Sequence, residues 1–130
     1  MVTTEDLISQ AKTAASFAYV PYSNFPVGAS LLTKDGQVYR GCNIENASFG
    51  LTNCAERTAI FNAVAQGKRE FAQLVIFGNT DQPIAPCGAC RQVMSEFMSS
   101  DTPVVLVGRD ENERHTTVGQ LLPYAFSDLS

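Results

Sequence analysis

Apolar positions along the chain recur first at helical and then at strand spacing. Leu7, Ile8, Ala11, Ala14, Ala15 and Ala18 repeat every three to four residues. That period predicts an amphipathic helix capped by Thr3, with Glu5 and Asp6 in its first turn and an end before Pro21. Two β-like runs, Val27 to Thr33 and Gln37 to Asn43, flank Asp35-Gly36, a dipeptide that favours a tight hairpin turn and so predicts an antiparallel pair. Helical spacing returns from Cys54 to Gln66 through Ala55, Ala59, Ile60 and Ala63, with Gly67 as the stop. Leu74 to Gly78 reads as a short apolar strand and Pro103 to Val107 as another. Between them a third helix is expected from Pro86 to about Ser99, with Val93, Met94, Phe97 and Met98 inward. Helix, hairpin, then alternating helix and strand predict an α/β sandwich. No repeat, low-complexity tract or linker divides the 130 residues, so residues 1–130 are expected to form a single domain.

Composition narrows the partners. With 45% apolar residues the chain can build one core, and its net charge of −4 is the wrong sign for gripping a phosphate backbone. Nucleic acid and membrane surfaces are therefore not expected partners. Met1 to Gln10 is polar where a secretory signal needs a basic start and an apolar run, which points to a cytoplasmic protein. In that setting the four cysteines serve as thiols or metal ligands, not as a disulfide framework.

The chemistry is concentrated in Cys54-Ala55-Glu56 and Pro86-Cys87-Gly88-Ala89-Cys90. Together they offer three thiolates to one metal and leave a fourth coordination position open, as catalytic zinc requires. Cys87 and Cys90, three apart at a helix start, share a face where unpaired N–H groups and the helix dipole favour anionic sulfur. Zinc held there can bring the pKa of a bound water to about 7. Glu56, two residues after a ligand, is the candidate proton carrier. Three thiolates call for compensating positive charge. Arg57 stands on the Cys54 helical face and can donate to its sulfur, and Arg91 is a second candidate. Asn43 and Glu45, two apart in an extended segment, share a face, while Cys42 and Ile44 point away. An amide and a carboxylate suit a neutral sugar.

These motifs resemble the cytidine deaminase family, whose signature is a ligand, one residue and Glu, followed by Pro-Cys-x-x-Cys. Cys54 stands where other branches carry His, so the chain resembles the all-cysteine branch, whose members are typically homotetramers. Further agreeing stretches are Tyr19-Val20-Pro21-Tyr22-Ser23-Asn24-Phe25, Gly41 to Ala47, and Leu121-Leu122-Pro123-Tyr124-Ala125-Phe126. The resemblance implies a three-layer α/β/α sandwich with a mixed five-stranded sheet and one zinc ion (Zn2+) per subunit. It also implies hydrolytic deamination of cytidine and 2'-deoxycytidine in pyrimidine salvage. By the same resemblance Asn43 and Glu45 hold the ribose hydroxyls, Phe25 lines the base pocket, and the Ala55 N–H binds the base carbonyl. The Ala85 carbonyl accepts from the departing amine, and Phe126 reaches a neighbouring subunit's site. Without the resemblance Phe25 and Phe126 read as core or interface aromatics. Phe49 stands where relatives often carry Tyr, so a hydroxyl contact between subunits is absent.

Two other readings stay open. In a structural zinc protein Cys42 would join the three thiols and close the site; in a thiol redox protein Cys87 and Cys90 would act alone, leaving Cys54-Ala55-Glu56 unexplained. Among deaminases, action on blasticidin-type antibiotics stays open because they also present a cytosine, whereas enzymes acting on nucleotides or polynucleotides need basic groups for phosphate. The stretch Asn43-Ile44-Glu45-Asn46 resembles the free-nucleoside group instead. His115, the single histidine, follows Glu111 and Glu113 in a polar stretch and is expected at the surface.

Overall fold

Thr3 starts the first helix as expected. In the computed structural model, which describes residues 1–126, α1 spans Thr4–Ala15 behind a reciprocal cap. The Asp6 N–H donates to the Thr3 hydroxyl oxygen over 3.1 Å, and the Thr3 N–H donates to the Asp6 carboxylate over 2.9 Å. Leu7, Ile8, Ala11, Ala14 and Ala15 are buried. The helix ends earlier than the spacing through Ala18 suggested. The N–H groups of Ser16, Phe17 and Ala18 each donate three residues back, and this tightening turns the chain aside before Pro21.

β1 (Val27–Thr33) and β2 (Val38–Cys42) form the expected hairpin, with Gly36 at φ 89° in the turn. β3 (Phe71–Gly78) pairs antiparallel with β1 and parallel with β4 (Pro103–Val107). β5 (Glu113–Thr117) closes the far edge antiparallel to β4, so the sheet is mixed, in the order β2-β1-β3-β4-β5. The parallel step between β3 and β4 is bridged by α3 (Gly88–Phe97), as a crossover demands. α2 (Ala55–Ala65) and the short α4 (Val118–Leu121) complete the elements used below.

Strand alternation sorts the core into two layers. Ala29, Leu31, Leu74, Ile76, Val104 and Leu106 pack with Ala59, Ile60 and Met94 of α2 and α3. The intervening Val75, Val105 and Val107 pack with Leu7, Ile8 and Ala11 of α1. The sheet is thus covered on both faces, a three-layer α/β/α sandwich. Among the described residues no helix is long and apolar enough to cross a membrane.

Two glycines let the helices lie close to the sheet. A Cβ on Gly28 would fall 1.9 Å from the Ala11 carbonyl oxygen of α1, and one on Gly41 would fall 2.3 Å from the Ala59 nitrogen of α2. These contacts are to backbone, so no side-chain rotation relieves them. Gly41→Ala is expected to push α2 off the sheet and destabilise the fold by about 3 kcal/mol. Gly50→Ala, where a Cβ meets nothing within 4 Å, should leave the urea midpoint almost unchanged; equal midpoints for the two variants would contradict this account of the packing.

Candidate metal centre and active site

α2 and α3 start in the same unusual way. Cys54 is the N-cap of α2 and Cys87 the N-cap of α3, both in extended conformation, and neither side chain caps its helix. Serine, threonine, aspartate or asparagine would normally stand there and accept a first-turn N–H. Both sulfurs are instead turned toward each other, 3.7 Å apart. Cys90 adds a third from the first turn of α3, and all three Sγ atoms lie within 4.8 Å of one another. An N-cap and the third helical residue are neighbours across one turn, which is why Cys87 and Cys90 converge.

This donor set fits zinc. Zn–S bonds of about 2.3 Å in a tetrahedron separate sulfurs by about 3.8 Å, close to the Cys54–Cys87 distance of 3.7 Å. A disulfide would need about 2.05 Å. Among the described residues neither Cys42 nor His115 belongs to the cluster. Cys42 pairs across the ladder with Gly28, so its side chain shares the α1 face of the sheet, away from α2 and α3. His115 lies on the edge strand β5, its side chain 66% exposed beside Glu113, as the polar stretch predicted.

The charges around the sulfurs are arranged for an anion. The Arg57 guanidinium donates from Nη2 to Cys54 Sγ over 3.4 Å, and its buried Nε–H has no partner among the described residues. A bond to Cys90, helped by Arg57 and Cys87, draws the Cys54 thiol down to about 5 against the opposing effect of burial. Cys90, fully buried, is pushed up from the ordinary thiol range by that bond to Cys54, by burial and by the Glu56 charge. Glu56, 4% exposed at the start of α2, is raised above the usual carboxylate range mainly by burial, with the Cys54 charge adding to it. Burial therefore favours the protonated carboxyl over the carboxylate.

The expected sugar-binding residues lie on a segment latched to the cluster. Ile44 exchanges two 2.9 Å backbone hydrogen bonds with Asn53, the neighbour of Cys54. On its other side, Tyr19 donates to the Asn43 carbonyl and accepts from the Glu45 N–H. The Glu45 carboxylate accepts from the N–H groups of Tyr22 and Ser23 and from the Ser23 hydroxyl. Those bonds, the Ser23 hydroxyl foremost, hold it below the usual carboxylate range. Glu45 lines an open cleft of about 370 Å³ with Tyr22, Ser23, Phe49 and Thr52. Asn43 is used differently: its side chain accepts from Val27 N–H and donates to the Phe25 carbonyl, each over 2.9 Å. It thereby pins the loop that carries Phe25, which is 37% exposed.

Ala55 opens α2 fully buried, and its N–H, in the first turn, has no intrahelical acceptor. Ala85 is exposed just before the buried Pro86. Phe126 is 68% exposed, its carbonyl accepting from Gln92 over 2.7 Å. Arg91 does not serve sulfur: its hydrogen bonds run to the carbonyls of Pro86 and Leu121. Sequence reasoning missed Ser23 as the anchor of Glu45. Its available signal was a turn-forming Ser-Asn pair, with Asn24 at φ 54°, preceding an aromatic.

Comparison with known proteins agrees with this geometry. A cytidine deaminase of Sporosarcina psychrophila is 54% identical over 128 residues, 97% of this chain and 94% of its own. The crystal structure of cytidine deaminase from Burkholderia pseudomallei matches with a TM-score of 0.94 and 56% identity, covering 96% of this chain and 100% of that one. That from Mycobacterium tuberculosis matches at 0.83 and 38%, covering 98% and 100%. The family model described as the cytidine and deoxycytidylate deaminase zinc-binding region matches residues 1–106. Because that match takes in all three clustered cysteines, the chain belongs to the zinc-binding cytidine and deoxycytidylate deaminase family.

Proposed function

We propose that the protein hydrolyses cytidine and 2'-deoxycytidine to uridine and 2'-deoxyuridine, releasing ammonia, in pyrimidine salvage. The observation that carries this reading is the buried carboxyl of Glu56 beside three thiols gathered at two helix starts. Relatives named cytidine deaminase support the choice of substrate.

Cys54, Cys87 and Cys90 would hold zinc, which would supply Lewis acidity toward water. Arg57 offsets the sulfur charge. Glu56 takes a proton from the attacking water, delivers it to N3 of the base and then assists the amine's departure, so that water and cytidine become uridine and ammonia. The Ala55 N–H meets the base carbonyl, and the Ala85 carbonyl accepts from the leaving amine. Phe25 stacks against the base. Glu45, together with the amide hydrogen that Asn43 does not spend on the Phe25 carbonyl, holds the ribose hydroxyls and so aligns C4 for attack.

A carboxylate held anionic by Ser23 favours a neutral sugar over a phosphate. The free nucleoside is therefore the substrate, ahead of deoxycytidylate. Phe49, Leu51 and Phe126 are each at least 68% exposed, apolar side chains available to a subunit contact. They support a homotetramer in which Phe126 completes a neighbour's site. Free thiols at the metal centre suit the reducing cytoplasm.

Glu56→Gln should lower kcat by about 10²–10⁴ while zinc content stays at the parent value. Zinc-loaded parent protein that releases no ammonia from either nucleoside would refute the assignment. Cys42→Ala should retain zinc, whereas Cys90→Ala should lose it; retention by both would mean the ligands are elsewhere. Since Cys90 is pushed up and must ionise to bind, zinc loading should release protons and weaken as pH falls. Calorimetry in buffers of different ionisation enthalpy measures that release, and identical heats would contradict it.

A further inference from the structure

Arg91 follows the buried ligand Cys90 directly and is itself half-buried. Its backbone N–H donates to the Cys87 carbonyl over 3.0 Å, and its side-chain Nε donates to the Pro86 carbonyl over 2.8 Å. These are the two carbonyls on either side of the Cys87 α-carbon. The bond to the Cys87 carbonyl is a main-chain one that any residue here would make; the bond to the Pro86 carbonyl depends on the arginine side chain, and together they restrain both peptide planes flanking Cys87, leaving its side-chain torsion to aim the sulfur. Cys87 needs such support because it is exposed and lacks the side-chain cap that usually fixes an N-cap residue.

The second donor of the guanidinium reaches a different part of the chain. Nη1 donates to the carbonyl of Leu121 over 2.9 Å. Leu121 ends α4, where the last carbonyls have no helical partner and a cation is favoured. The next residue, Gln92, donates to the Phe126 carbonyl over 2.7 Å. Two consecutive side chains of α3 thus bind both ends of the segment 121–126. A lysine at position 91 would keep the charge but lacks the planar fork that serves two carbonyls at once.

We propose that Arg91 is a positioning residue that fixes Cys87 for the metal and joins the metal centre to the C-terminal segment carrying Phe126. The proposal rests on Cys87 being a zinc ligand, as read above. It makes the order of residues 121–126 depend on how the start of α3 is held.

The test uses the full-length zinc-loaded protein, its cobalt(II)-substituted form and three variants. Arg91→Ala and Arg91→Lys should release zinc to a chelator about tenfold faster than the parent or more, and should alter the thiolate-to-cobalt charge-transfer bands. Both should also speed amide hydrogen exchange over 121–126. Arg109→Ala is the control, because Arg109 likewise donates to a backbone carbonyl, that of Asn79, and to Asp81, but on another loop. It should leave zinc release and cobalt bands at parent values. If Arg91→Ala fails to fold, Arg91→Lys carries the test. Parent-like release and cobalt bands in Arg91→Lys, or the same changes in Arg109→Ala, would overturn the proposal. A parent that holds zinc but spares both nucleosides would sink the deaminase reading and leave this comparison readable.

Discussion

Two helices begin at one point, each with cysteine where a capping side chain belongs. The convergence of Cys54 and Cys87, with Cys90 one turn on, leaves first-turn N–H groups of α2 and α3 without side-chain acceptors. Their partial positive charge falls on the sulfurs. Arg57 adds a full charge to the same spot. Every local preference forgone at these helix starts is recovered only if the sulfurs are anionic and share a cation. The acidity of Cys54 and the resistance of Cys90 to ionisation follow from the sulfurs lying together, and the raised carboxyl of Glu56 follows from burial first and the Cys54 charge second.

The sheet holds the two helix starts together. Gly41 lets α2 lie against β2 at a distance that any side chain would forbid, and the parallel step from β3 to β4 obliges α3 to cross the same face. Both helices therefore pack on one layer, while α1 and Cys42 belong to the other. The ladder between Ile44 and Asn53 carries the order further, tying Asn43 and Glu45 to the residue before Cys54. A displacement of α2 would thus be felt at the sulfurs and at the segment carrying Asn43 and Glu45 together.

Much of this was legible in the residues. The hairpin, α2 and β4 fall within a residue or two of where period and turn chemistry put them, because each has a buried face and a distinct stop. β5 was not visible locally: Glu113, Arg114 and His115 are exposed on an edge strand, and such a strand has no apolar alternation to betray it. The end of α1 at Ala15 was hidden because alanines keep helical spacing beyond the helix. At the site, ligand spacing and the acid two residues on were plain. The work of Arg91 and Ser23 was not, since Arg91 acts on the Leu121 carbonyl and Ser23 on the Glu45 carboxylate, partners distant in the chain, and no sequence pattern encodes such partners.

The central claim is that three sulfurs and no fourth side chain hold the metal, leaving a place for solvent beside Glu56. X-ray absorption at the zinc edge of the loaded protein tests it most directly. The account predicts three sulfur scatterers at about 2.3 Å and one light atom from solvent; four sulfurs, or two light atoms with only two sulfurs, would contradict it.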